Sequence, residues 1–113
     1  MQISQYQQGN VQVLALSGRV DELASPELDQ TFGELIASGE QRVVVDMAGV
    51  EYISSSGLRV LLMLYKTMKQ TNGHLKLSAL SPFVTEVFNV TNYHTLFDVH
   101  PNAESAVAAM PAA

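Results

Sequence analysis

Between Val43 and Met68 the sequence switches from one structural period to another, and that switch constrains the fold more than any other feature. Val43-Val44-Val45 opens a β-branched run, the type that sits in the middle of a sheet with both faces covered. From Leu58 onward, apolar residues recur at helical spacing: Leu58, Leu61, Leu62, Tyr65 and Met68. Between the two lie Ser54, Ser55 and Ser56, where the helix begins. Serine is a favoured N-cap because its oxygen accepts from a free N–H of the first turn. That turn also carries partial positive charge and receives anions well. A phosphate on one of these serines is therefore tolerated locally, yet it adds about −1.5 to −2 of charge. The pattern suits a phosphorylation switch on a binding module.

The 113 residues suit one domain with one core. The net charge of −5, with no cluster of Lys and Arg, argues against nucleic acid or an anionic membrane as partner. Without cysteine there is no disulfide, thiol nucleophile or thiolate metal site. His74, His94 and His100 share no ligand spacing, so no metal or other cofactor is expected. Met1 to Tyr6 lacks the basic and apolar parts of a signal peptide, and no apolar run approaches the roughly 20 residues that cross a bilayer. A cytoplasmic protein is expected.

In chain order, Ile3–Gln7 and Val11–Leu16 read as an antiparallel hairpin turning at Gly9-Asn10. Gly18 to Asp21 leads out of the sheet. Ser25-Pro26 reads as a capped helix start, with Leu28, Phe32, Leu35 and Ile36 on one face and Gly39 as the stop. A buried strand, Arg42–Asp46, precedes the serines and their helix, which ends at Asn72-Gly73. His74–Ala79 reads as a strand and Ser81-Pro82 as a second helix start. Leu96–Val99 reads as a short strand, and Asn102 as the cap of a last helix through Met110. Strands separated by helices imply parallel pairing, and the opening hairpin makes the sheet mixed.

The stretch Asp46-Met47-Ala48-Gly49-Val50-Glu51-Tyr52-Ile53-Ser54-Ser55-Ser56-Gly57-Leu58 resembles the STAS domain family, specifically the bacterial anti-sigma factor antagonists. Leu16-Ser17-Gly18-Arg19-Val20-Asp21 is similar to that family's strand-then-Gly-x-x-Asp turn. Gly73-His74-Leu75-Lys76-Leu77 is similar to the strand after its key helix. The resemblance implies a single STAS domain over residues 1–113. It implies a mixed, mostly parallel sheet of four to five strands with an N-terminal antiparallel hairpin and about four packed α-helices. It also implies a partner-switching cycle. The unphosphorylated protein binds an anti-sigma factor that is a serine/threonine kinase of the GHKL type, which releases the sigma factor. Phosphorylation ends the binding, and a PP2C-type phosphatase restores it. By this alignment Ser55 is the acceptor, Ser56 the second choice and Ser54 the third; Ser54 stands where many members have Asp. No enzyme activity is implied, and a monomer or weak dimer is expected.

Ser54, Ser56, Gly57, Arg59, Val60, Met63 and Asp21 are the candidate partner-binding residues. Gly57 offers no side chain, so a partner could approach its backbone. Val60 and Met63 fall on the outward side of the helix, and methionine adapts its shape to a partner. Asp46 is motif context, either a phosphate-sensing acid or a strand-end turn former. Taken alone, a serine triplet before a helix is usually just a cap. A serine hydrolase is disfavoured because Ile53, not glycine, lies two residues before Ser55. The glycine-rich phosphate loop of nucleotide-binding folds is absent as well. The alternative functions are a STAS scaffold, or a nucleotide-sensing module, in an assembly that does not act on a sigma factor.

Overall fold

The β-branched run becomes the middle strand of a five-stranded sheet in the computed structural model, which describes residues 1–112. The strands are β1 (Gln2–Gln8), β2 (Val11–Val20), β3 (Arg42–Ile53), β4 (His74–Ser78) and β5 (Asp98–His100). They lie side by side in chain order, with β1 and β2 antiparallel and the other neighbours parallel. The helices are α1 (Ser25–Ala37), α2 (Ser55–Gln70), α3 (Pro82–Val90) and α4 (Ala103–Ala108), with a short 3-10 turn at Tyr93–Thr95. The mixed sheet, the opening hairpin and the four helices agree with the expected fold class.

Parallel strands that advance one place at a time, joined by crossovers of one hand, put their helices on the same face. Accordingly Leu14, Leu16, Val43, Val45, Met47 and Leu77 face α1, α2 and α3 in one core. The alternate residues Val11, Val13 and Val44 point the other way, against Ala106 and Met110. At the sheet's short edge strand, Lys76 Nζ hydrogen-bonds Asp98, and His100 Nε2 lies 3.2 Å from the other carboxylate oxygen. Lys76 is the main reason that this carboxyl is held below the usual carboxylate range, with burial opposing the shift.

Several boundaries move. β2 continues through Val20 and β3 through Ile53, so the residues from Gly18 to Val20, and the stretch after Asp46, belong to the sheet. Their pairing survives two register shifts, between Ala15 and Ser17 and between Gly18 and Arg19. At the first, Gly49 comes so close to β2 that a Cβ would lie 2.6 Å from Ser17 Cβ. Ser25 is not a cap. Ala24 occupies that position, Asp21 Oδ1 accepts from the Ala24 N–H at 3.0 Å, and Ser25 Oγ donates to Asp21 O at 2.7 Å. The aspartate folds the loop back on itself, and so the helix is started one residue upstream. On α2, Leu64 joins Leu58, Leu61 and Met68 in the core, whereas Leu62 and Tyr65 are half-buried. β4 ends at Ser78, leaving Ala79 outside it, and β5 begins at Asp98. Ser81 and Asn102 do cap α3 and α4, accepting from Val84 N and Ser105 N, although α4 stops at Ala108.

Gly33 lies inside α1 on an exposed position, and a Cβ there would meet nothing within 4 Å. A glycine inside a helix costs roughly 0.5–1 kcal/mol relative to alanine. Gly33→Ala is therefore expected to raise the thermal midpoint by about 2–4 °C, measured by calorimetry; a fall would mean the site is more crowded than its geometry indicates.

Candidate functional site

β2 and β3 end side by side, with Val20 opposite Ile53. The Ser54 N–H donates to Val20 O at 2.9 Å, which ties the start of α2 to the end of β2. Two loops therefore emerge at one end of the sheet. One carries Asp21 into α1 and the other carries the three serines into α2.

The serines have different tasks. Ser54 is the N-cap of α2, extended at φ −89° and ψ 171°, and its Oγ accepts from Gly57 N at 3.2 Å. It is 8% exposed. Its backbone N–H and its side chain are both engaged inside the fold, so as third-choice acceptor, and as a partner contact, it is shielded. Ser55 is the first residue of α2 and is exposed. Ser56 is half-buried beside Glu22, Asp29, Arg59 and Val60 in a groove of about 450 Å³ between α1 and α2. Among the described residues neither Ser55 Oγ nor Ser56 Oγ makes a hydrogen bond. With the Ser54 and Gly57 N–H groups already engaged, those of Ser55 and Ser56 remain as donors, so an anion at Ser55 meets them and the positive end of α2. Ser54→Ala is expected to lower stability by about 1 kcal/mol, through loss of the cap. Chemical denaturation measures this, and an unchanged midpoint would mean the cap contributes nothing.

Gly57 overturns one expectation. It is buried, and a Cβ there would lie 2.8 Å from Val20 Cγ1, 2.9 Å from Val20 O and 3.0 Å from Ile53 Cγ1. Its missing side chain lets α2 sit down on the strand ends, and does not open its backbone to a visitor. The remaining candidates surround the serines. Arg59 is exposed on α2, Val60 is half-buried in the groove, and Met63 is 51% exposed further along, facing Phe32, Gly33 and Ile36 of α1. Asp21 is half-buried at the neighbouring loop. Asp46 is not with them. Its Oδ1 accepts from Ala48 N and from Ser78 Oγ, both at 3.2 Å, and the rest of β3 separates it from the serines. It fastens β3 to β4.

Residues 3–98 match the family described as "Mlab, STAS domain", which is most of the sequence. The chain belongs to the STAS domain family. This STAS domain is 37% identical over 101 residues to a Bordetella bronchiseptica protein provisionally named anti-sigma factor antagonist BtrV, spanning 89% of this chain and 87% of that one. It is 27% identical over 92 residues to the anti-sigma-B factor antagonist of Bacillus subtilis, spanning 81% and 84% of the two chains. The crystal structure of an anti-sigma factor antagonist from Mycobacterium paratuberculosis superimposes with a TM-score of 0.88 at 25% identity, covering 96% of this chain and 92% of that one. Proteins of this group are regulatory and not enzymes. No helix among the described residues is long and apolar enough to cross a membrane, and no group of acidic, His or Cys side chains could hold a metal ion.

The STAS domain also carries surface features that the sequence reading passed over. Leu23, between Glu22 and Ala24 in the β2–α1 loop, is 92% exposed. Arg19 lies 4.1 Å from the centre of the Tyr52 ring, and Tyr52 stacks on the exposed Phe83 at 5.6 Å. A leucine directly after Asp21-Glu22 in a loop was a signal available in the sequence. The Arg19–Tyr52–Phe83 stack was not, because it joins three separate elements.

Proposed function

We propose that this STAS domain is an anti-sigma factor antagonist that works by partner switching. In its unphosphorylated form it binds an anti-sigma factor, and the sigma factor is released. That anti-sigma factor is also a serine/threonine kinase of the GHKL type. It transfers the γ-phosphoryl group of ATP to Ser55 Oγ: the new P–O bond forms at the hydroxyl, the bond to ADP breaks, and the hydroxyl proton is released. The phosphorylated protein no longer binds, and a PP2C-type phosphatase hydrolyses the phosphoserine to restart the cycle. The protein acts in the cytoplasm as one domain, a monomer or weak dimer. The names of its relatives support the antagonist role.

One observation carries the choice of acceptor. Of the three serines, only Ser55 is exposed, and it stands at the first position of α2, while Ser54 Oγ is committed to Gly57 N. The partner surface that fits this reading combines Ser56, Arg59, Val60 and Met63 with the Asp21 loop. The experiment is incubation with the co-encoded anti-sigma kinase and Mg-ATP, followed by phosphosite mapping. Phosphate on Ser55, retained in Ser54→Ala and lost in Ser55→Ala, supports the proposal. Phosphate on Ser56 moves the acceptor one residue, and no incorporation removes the switch.

A further inference from the structure

We infer that Arg59 is the positioning residue for the phosphate on Ser55, drawing the group along α2 and holding it as the dianion. This rests on the reading of Ser55 as the acceptor. Ser55 and Arg59 are four residues apart on α2, and both are exposed. Helix residues at that spacing are neighbours, about 5–6 Å apart at Cβ, and an acid one turn N-terminal to a base is the favourable order. Among the described residues Arg59 makes no ion pair; the only pairs join Asp98 to Lys76 and to His100. Glu22 and Asp29 line the same groove as Arg59 without forming a salt bridge to it. Before modification, then, a long cation lies unpaired one turn from an unpaired hydroxyl.

A phosphate on Ser55 is met from two sides, by the first-turn amides and by a guanidinium whose planar fork matches two phosphate oxygens. Arg19 is a less suitable partner, being engaged over Tyr52. The other side-chain charges at this end are acidic: Asp21 and Glu22 in the loop, Glu27 and Asp29 on α1, and Glu51 on β3, with the Met1 amino group set among Asp21, Glu27 and Glu51 beside Gly18. The acids oppose the dianion, so the phosphate turns toward Arg59. Arg59 thereby sets where the new charge lies, on the α2 side of Ser55 and away from the acids of the neighbouring loop.

The test installs phosphoserine at position 55 by genetic encoding, so that no kinase is needed. The phosphate is then titrated by phosphorus NMR in the otherwise native chain and in R59A, R59K and R19A, at low and high salt. An exposed pair at this spacing predicts that R59A raises the second phosphate pKa by about 0.3 of a unit. R59K should recover part of the shift, R19A should give a smaller one, and 1 M salt should erase the difference. Equal midpoints for the native chain and R59A, or equal shifts for R59A and R19A, overturn the inference. Because the phosphate is placed without a kinase, this failure leaves the switch itself standing. Conversely, a chain that no kinase modifies can still display the Arg59 effect.

Discussion

Gly57→Ala is expected to lower the thermal midpoint by about 8 °C, a loss of about 2 kcal/mol. In a free helix the change would go the other way, because alanine is better than glycine by ~1 kcal/mol. Here the added Cβ would lie 2.9 Å from Val20 O, a backbone atom fixed in the sheet. It would also crowd Val20 Cγ1 and Ile53 Cγ1, both in buried side chains. None of the three is the free end of a flexible side chain, so α2 has to lift. Lifting it stretches the Ser54 N–H bond to the same Val20 oxygen and disturbs the cap on residue 57 itself. Crowding of a packed site costs about 1–3 kcal/mol, and a weakened buried hydrogen bond adds about 1 kcal/mol. Together they exceed the helix-propensity gain. Denaturant titration of Gly57→Ala beside Gly33→Ala is the direct check, since the same chemical change is expected to have opposite signs in two helices. If both variants gain stability, the close approach of α2 to the strand ends is wrong.

The sequence made the order of elements and the serine turn legible because both depend on local signals. The Val43–Val45 run, the helical spacing after Leu58, and the caps at Ser81 and Asn102 need no distant partner to act. What it hid depends on contacts between elements. Ser25-Pro26 and Ser81-Pro82 look alike in sequence, but only at the first does an aspartate four residues upstream accept the Ala24 amide and displace the serine from the cap. The strands were expected to end at Leu16 and Asp46, short of Gly18 and Ala48-Gly49. These residues stay in the sheet because β2 and β3 pair through register shifts, where a strand gains a residue and needs a small one. Gly57 has the same origin. Its composition suggests openness, and its neighbours, Val20 and Ile53, make it a packing requirement. Ser55 was ranked first by resemblance. Its exposure and the burial of Ser54 follow from which of the two occupies the cap, a distinction of one residue that boundary reading from sequence does not resolve.

Phosphorylation of Ser55 is expected to weaken binding to the anti-sigma factor by 100-fold or more while leaving the fold at least as stable. The two halves come from one location. At the first position of α2, negative charge interacts favourably with the helix end, by about 0.3–1 kcal/mol. The thermal midpoint should therefore stay level or rise by a few degrees. In the proposed complex the same phosphate would be pressed against a partner. Burying a dianion there without a matching cation costs several kcal/mol, and every ~1.4 kcal/mol is tenfold in affinity. Neighbouring carboxylates at Asp21, Glu22 and Asp29 give the dianion no relief, and Arg59 can screen only part of it. Ser55→Ala keeps a small neutral side chain at an exposed position and should bind within a few-fold of the native chain. Ser55→Asp carries one charge in place of nearly two and should fall between. Calorimetric titration of the four forms against the anti-sigma factor, with a thermal melt of each, separates the possibilities. Weaker binding with an unchanged melt places the effect at the interface. Weaker binding with a matching fall in the melt would assign it to unfolding of α2, and equal affinity of the phosphorylated and native forms would mean that Ser55 lies outside the contact.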